Sequence, residues 1–228
     1  MTTRARLLIT AGPTHEPIDA VRAIVNRSSG RLGCALADHA ASQGWDVRVL
    51  LGPTALRPAS AGVETILFTT TASLRERLAE HLAWCDVLVM AAAVADYRPA
   101  EPVTGTKLRR TPGELVLKLE PTPDLLAEAS ARARPDQLLV GFALEPAESM
   151  LASARAKLER KGVHAIVANP LETMDSDDIE ATLVGAPCSG FEASEPTPGR
   201  MTKDAFAAWL LERIERARAA TREGSTDA

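Results

Sequence analysis

The sequence predicts an α/β fold in which helices cover both faces of a mostly parallel sheet, and three observations carry that prediction. Apolar runs of strand length alternate with longer stretches of helical period, the signature of a parallel sheet covered by helices. The chain has 228 residues, enough for one large α/β domain with a real core. The helical stretches carry an apolar face, as where Leu74, Leu78 and Leu82 recur at four-residue spacing, so they have a side to pack on a sheet.

In chain order, strands are expected at Leu7–Thr10, Asp46–Leu50, Val63–Phe68, Val87–Met90, Leu138–Phe142 and Ala165–Asn169. Six such runs suffice for a Rossmann-like three-layer sandwich. Helices are expected at Arg31–Gln43, Ser73–Trp84, Pro123–Ala133 and Ala147–Lys161. Gly44 stands where a left-handed cap would follow the first helix, and Pro53, Pro58 and Gly62 mark a loop. The segment from Arg98 to Glu120 breaks the alternation. Prolines and glycines surround Lys107–Arg110, and Glu114–Glu120 then alternates Leu115, Leu117 and Leu119 with polar positions, the period of a half-buried strand. This segment is expected to protrude from the main sheet as an arm. A second excursion from Pro170 to Pro198, with a strand at Glu180–Val184, precedes a C-terminal helix at Thr202–Ala219. Its Phe206, Trp209, Leu210 and Ile214 form one apolar stripe. Residues 221–228 read as a flexible tail, and with no repeat or linker the whole of 1–228 is expected to be a single domain.

Composition narrows the function classes. Hydrophobic residues are 46% and charged residues 25% of the chain, which excludes bulk disorder. Lys plus Arg number 26 against 30 Asp plus Glu, so no global positive field would hold a nucleic acid. The longest apolar stretch, around Val87–Ala95, falls well short of the roughly 20 residues that cross a bilayer. Arg4 and Arg6 sit near the N-terminus without a signal-peptide core. A cytoplasmic protein without membrane partners is expected. Cys34, Cys85 and Cys188 are odd in number and form no CxxC pair, which fits buried thiols in a reducing compartment.

In an open parallel sheet, ligands bind outside the carboxyl ends of the strands. The loop after the first strand is long and ends in Asn26-Arg27-Ser28-Ser29-Gly30-Arg31-Leu32-Gly33. Ser28-Ser29-Gly30 reads either as a helix N-cap or as a phosphate cradle at the positive end of the helix. No GxGxxG or P-loop occurs, and Leu50-Leu51-Gly52 stands where a ribose-binding acid would be expected for NAD, which argues against a dinucleotide oxidoreductase. Ala91-Ala92-Ala93-Val94-Ala95-Asp96 after the fourth strand permits close approach to the backbone, or is simply a strand extension ending in a turn Asp. Lys107-Leu108-Arg109-Arg110 is a charge cluster or a solvated face. Lys157 and Lys161 lie four apart on one helix face, where like charges repel unless an anion lies beside them.

Taken in order, the series Thr10–Thr14, Glu16–Asp19, Val21-Arg22, Asn26–Gly30, Gly33, Ala91–Pro99, Lys107, Thr122–Leu126, Val140–Ala143, Lys157, Lys161 and Ala168-Asn169 closely resembles the phosphopantothenate–cysteine ligases of coenzyme A synthesis, over nearly the whole chain. Many bacterial members are fused behind a flavin-dependent decarboxylase, whereas this chain begins at the ligase strand and looks like the stand-alone form. The resemblance implies ligation of 4′-phosphopantothenate to L-cysteine through an acyl-nucleotidylate, with Mg²⁺, release of pyrophosphate, and CTP rather than ATP as the expected nucleoside triphosphate. A carboxylate has no adequate leaving group, so a mixed anhydride with the α-phosphate must form before an amine can attack.

The resemblance assigns the nucleotide to Met90, Ala91, Ala92, Asp96, Lys107, Pro123, Asp124, Leu125, Leu126, Phe142, Lys157 and Lys161. It assigns phosphopantothenate to Arg22, Asn26, Ser28, Ser29 and Gly30, and makes Asn26 and Lys107 the catalytic pair. The metal would be held mainly by the triphosphate, with Asp96 a possible ligand. It further implies a homodimer joined through the arm, and it leaves as the alternative an inactive homologue that binds nucleotide or phosphopantothenate without turnover. The chain departs from the family pattern at Leu144 and Pro146, at Met174–Ile179, and in reading Lys-Leu-Arg-Arg for Lys-Ile-Lys-Lys at 107–110. Those departures bear on base preference and the nucleotide edge.

Overall fold

The computed structural model describes residues 4–110, 112–174 and 176–224. The elements that build the site are, in order, β1 (Arg6–Ala11), α1 (Arg31–Ser42), β2 (Asp46–Leu51), β3 (Val63–Leu67), α2 (Thr71–His81), β4 (Val87–Met90), α3 (Leu125–Arg132), β5 (Leu138–Glu145), α4 (Met150–Lys161), β6 (Ala165–Pro170), β7 (Thr182–Gly185), β8 (Glu195–Pro196) and α5 (Lys203–Gly224). They form one eight-stranded sheet in the order β3-β2-β1-β4-β5-β6-β7-β8. The first six strands run parallel, and β7 and β8 add antiparallel to β6.

Alternation along each strand divides the core into two layers. Leu7, Ile9, Val47, Val49, Val87, Val89 and Val140 face α1 and α5. Leu8, Leu50, Leu88, Leu139, Ile166 and Val184 face the opposite side, with α2, α3 and α4. Both faces of these strands are therefore dry, as helix-covered parallel sheets require. Local signals set the helix ends. Thr70 and Ser73 form a reciprocal capping box at the start of α2, and Gly44, at φ 83, turns the chain out of α1 in the left-handed conformation that glycine adopts without steric cost.

Four sequence expectations are corrected. The strand expected over Glu114–Glu120 contracts to Leu119–Pro121, paired with Tyr97–Pro99. Leu115 and Val116 are 62% and 82% exposed, because the chain turns back outside the sheet and, among the described residues, no element covers that alternating face. Part of the second excursion belongs to the main sheet instead: Thr182–Gly185 pairs with β6 and Glu195–Pro196 with β7. The helix α5 continues through Thr221, whose hydroxyl donates to Ala217 O at 3.1 Å, to Gly224. The expected tail thus overlaps helix up to that point, and 225–228 lie outside the described residues. Cys34 and Cys85 are buried as expected, but Cys188 is exposed.

The apolar stripe of α5 closes the first core layer. Phe206 is fully buried against α1 and its ring stacks on Trp209 at 5.4 Å. Phe206→Ala leaves a cavity that helix packing cannot refill, so it should lower the unfolding free energy by about 3–5 kcal/mol, read as a reduced midpoint in urea at unchanged slope.

Candidate functional site

The strand order reverses between β1 and β4: β2 and β3 extend from one side of β1, and β4, β5 and β6 from the other. At such a switch point, loops after neighbouring strands diverge and leave a crevice at the carboxyl ends. A cleft of about 840 Å³ lies there.

The loops on either side of the reversal are sewn together. Ala92 N–H donates to Thr10 Oγ1 at 3.1 Å and Ala95 N–H to Thr14 Oγ1 at 3.0 Å. Ala93 N–H donates to Gly12 O at 2.9 Å. Thr10 and Thr14 are fully buried, so these bonds satisfy polar groups that water cannot reach. Asn26 joins the same seam, its Nδ2 donating to Val94 O at 2.9 Å.

One wall is the start of α1. Gly30, at φ 73, occupies the cap position without a side-chain cap. The N–H groups of the first turn beyond Arg31 thus have no side-chain cap and can face an anion. The Ser28 and Ser29 hydroxyls accept long hydrogen bonds, 3.4 Å each, from Gly30 N–H and Arg31 N–H, so Gly30 is the cap residue and Ser29 reaches only the first amide of the helix. Gly33 allows α1 to seat directly on β1, since a Cβ there would lie 2.4 Å from that of Ala11.

The opposite wall is built from α3 and α4. Asp124 caps α3, accepting from Ala127 N–H at 3.1 Å. The same carboxylate pairs with Lys161 at 3.1 Å, and Glu145, at the end of β5, pairs with Lys157 at 2.6 Å. The two lysines expected to repel each other therefore each face a carboxylate. Phe142 belongs to the α1 side, packed against the core layer of α1 and α5.

Of the residues expected at a site, most converge on this cleft. Asn26, Ser28, Ser29 and Gly30 line it from the loop before α1, Met90, Ala91, Ala92 and Asp96 from the end of β4 and its loop, Pro123–Leu126 from the start of α3, and Phe142, Lys157 and Lys161 from β5 and α4. Sequence reasoning missed Arg160, Thr173 and Lys203 and noted Leu144 only as a departure at the nucleotide edge; all four also line it. Arg160 lies three positions from Lys157, and Leu144 two positions from Phe142 on the same strand face; that spacing was the available signal. Nothing local marked Thr173 or Lys203.

Arg22 and Lys107 are not among the residues that line the cleft. Arg22 is engaged elsewhere. Asp19 is almost wholly buried and its carboxylate accepts from the Arg22 guanidinium at 2.5 Å, from Val21 N–H at 2.9 Å, from Arg22 N–H at 2.8 Å and from Leu108 N–H at 3.0 Å. The Arg22 guanidinium beside it, reinforced by those backbone donors, holds this carboxyl well below the usual carboxylate range. Arg22 also donates to Leu108 O at 3.2 Å. The Asp19–Arg22 pair thus clasps the arm, and Lys107, adjacent to the clasp, is held exposed on the arm.

Residues 2–217 match the family described as the DNA/pantothenate metabolism flavoprotein C-terminal domain. The chain is similar to the coenzyme A biosynthesis bifunctional protein CoaBC of Mycobacterium bovis, at 42% identity over 172 residues, 72% of this chain and 41% of that protein. It is also similar to a protein named cysteine/cysteine sulfinic acid decarboxylase from an unidentified prokaryote, at 46% identity over 167 residues, 73% of this chain and 46% of that protein. The chain spans less than half the length of these curated relatives. A solved C-terminal domain of CoaBC superposes with a TM-score of 0.77 at 34% identity, covering 92% of this chain and 94% of that one.

Because the folded state lowers the Asp19 pKa, the clasp is at full strength above the ordinary value of 3.8 and is lost as pH falls below it. The Leu108 amide should keep its hydrogen-exchange protection between pH 6 and 4 and lose it progressively in stronger acid. Asp19→Asn should remove most of that protection already at pH 6, while the β1 amides stay protected.

Proposed function

Because the chain belongs to the DNA/pantothenate metabolism flavoprotein C-terminal domain family, we propose that it joins 4′-phosphopantothenate to L-cysteine in coenzyme A synthesis, activating the carboxylate with a nucleoside triphosphate. One observation carries the proposal. A single cleft presents an uncapped helix N-terminus and the Asn26 amide on one wall, and the cations of α4 on the other. Two anionic reactants can therefore be held facing each other, as attack of a carboxylate on an α-phosphate requires.

In this reading the pantothenate half lies along Asn26–Gly30 and the nucleotide along β4, α3, Phe142 and α4. The bond that forms first joins a carboxylate oxygen to the α-phosphorus, and the bond that breaks releases pyrophosphate. The cysteine amine then attacks the acyl carbon, the nucleoside monophosphate leaves, and the amine loses its proton. One N–H of the Asn26 amide is used by Val94 O, which orients the group and leaves its second N–H for the acyl-phosphate oxygens. A neutral donor fixed in advance stabilises developing charge without reorganisation. CTP is the expected triphosphate and ATP the alternative.

Mg²⁺ would neutralise the phosphate oxygens. The ion would be carried mainly by the triphosphate, with Asp96, an exposed carboxylate on the cleft, as the protein ligand. Lys107 and Arg22 enter through the arm. In a homodimer the exposed Leu115, Val116 and Leu119 would be covered by the second copy, and Lys107 would reach the partner's cleft. Among the described residues no helix is long and apolar enough to cross a membrane.

Incubation with 4′-phosphopantothenate, L-cysteine, Mg²⁺ and CTP or ATP should yield 4′-phosphopantothenoylcysteine, pyrophosphate and the nucleoside monophosphate; orthophosphate with the diphosphate would overturn the nucleotidylate route. Nucleotide binding without any product would favour the inactive homologue. Asn26→Asp should bind nucleotide nearly normally while kcat falls by about 10²–10³, and Lys107→Ala should lose most activity without a shift in Tm.

A further inference from the structure

The α4 wall carries three cations, and two of them are already matched within the protein. Lys157 pairs with Glu145 at 2.6 Å and Lys161 with Asp124 at 3.1 Å. The third, Arg160, is exposed, lines the same cleft, and makes no ion pair or hydrogen bond to a described residue. The C-terminal end of a helix dipole favours a cation in the last turn of α4, which accounts for a basic residue there. It does not account for that residue bordering the cleft, since a side chain turned to solvent would serve the dipole equally.

We infer that Arg160 is the residue by which this cleft recognises a polyphosphate, taking the terminal phosphates of the nucleoside triphosphate and then the pyrophosphate product. This rests on the ligase reading above and names the residue that selects by charge. Three cations against two carboxylates leave this wall one positive charge in excess, and Arg160 carries it. A ligand with a single phosphate must compete with Glu145 and Asp124 for each lysine. A polyphosphate gains in addition a planar guanidinium that can donate two parallel N–H bonds to phosphate oxygens. Arg160 therefore holds the triphosphate by its leaving end, while the α-phosphorus stays open to attack.

The test is isothermal titration of the full chain with Mg-pyrophosphate and, separately, with CMP, for the wild type, Arg160→Ala and Arg160→Lys. Arg160→Ala should weaken pyrophosphate binding by about tenfold, the scale of one charge-assisted hydrogen-bonded contact. Arg160→Lys should recover part of the loss, and CMP affinity should change less than about twofold. In steady-state assays Arg160→Ala should raise the triphosphate KM with kcat nearly unchanged, as loss of uniform binding does. Equal pyrophosphate affinity in wild type and Arg160→Ala, no pyrophosphate binding by the wild type, or an equal loss for CMP would each overturn the inference. If the wild type forms no coupled product yet Arg160→Ala still loses pyrophosphate, the ligase reading falls and the role of Arg160 stands. If product forms and Arg160→Ala binds pyrophosphate as the wild type does, the reverse holds.

Discussion

The pairing of β1 with β4 is the constraint on which this molecule depends. Leu7 to Thr10 run parallel beside Val87 to Met90, and the pairing continues past the strand ends through the buried Thr10 and Thr14 hydroxyls to the amides of Ala92 and Ala95. Those side-chain bonds do what a longer strand would have done for satisfaction, yet they let the chain diverge. If the loops had continued as regular strands, the backbone would fill the space that the cleft occupies. A switch point needs the two halves of the sheet joined and their loops parted, and two threonines meet both demands.

From that seam the walls follow by packing. The helix α1 approaches β1 closely because position 33 is glycine, which brings its uncapped first turn to the edge of the seam. Gly141 performs the matching task below α3, where a Cβ would lie 2.5 Å from Leu126 Cδ2. The strand β5 then distributes its last side chains to opposite walls, Phe142 to one and Glu145 to the other, because successive residues of a strand face opposite sides. Two of the three cations on the α4 wall are paired within the protein before any ligand arrives. Burying part of a lysine without a partner costs more than a pairing returns in water, so the carboxylates keep the empty cleft stable and set the charge a ligand must bring.

The Asp19–Arg22 clasp shows what a charged residue in a loop can do for the fold. Arg22 is basic, sits early in a loop near the first helix and invites a phosphate. Its guanidinium is committed to a buried carboxylate that also holds the Leu108 amide. Glu16 behaves alike: it is buried, and its carboxylate accepts from both Thr71 N–H and Thr71 Oγ1 at 2.7 Å, fastening the loop after β1 to the start of α2. Charged residues of this loop thus act as the fasteners that give the loop its shape.

The sequence by itself determined the layers. Strand-length apolar runs and helical stripes are local patterns, each readable within a dozen residues, and they located β1 to β6 and all five helices to within a few positions. It also located the cleft residues in loops that follow strands, Asn26–Gly30 and Ala91–Asp96, because carboxyl-end loops are where such folds bind, whereas Phe142, inside β5, came from the family resemblance. Only the tertiary structure decided the rest. The alternation of Leu115, Leu117 and Leu119 promised a buried face, but burial depends on a covering element, and the described residues supply none. The strand at Thr182–Gly185 joins the sheet because β6 offers an open edge, which no local pattern reveals. Arg22 and Lys157 meet Asp19 and Glu145, and Arg160 meets no such partner among the described residues, by the meeting of side chains from different segments. A charge in a sequence has a sign; whether it is already neutralised is settled by which segments fold against one another.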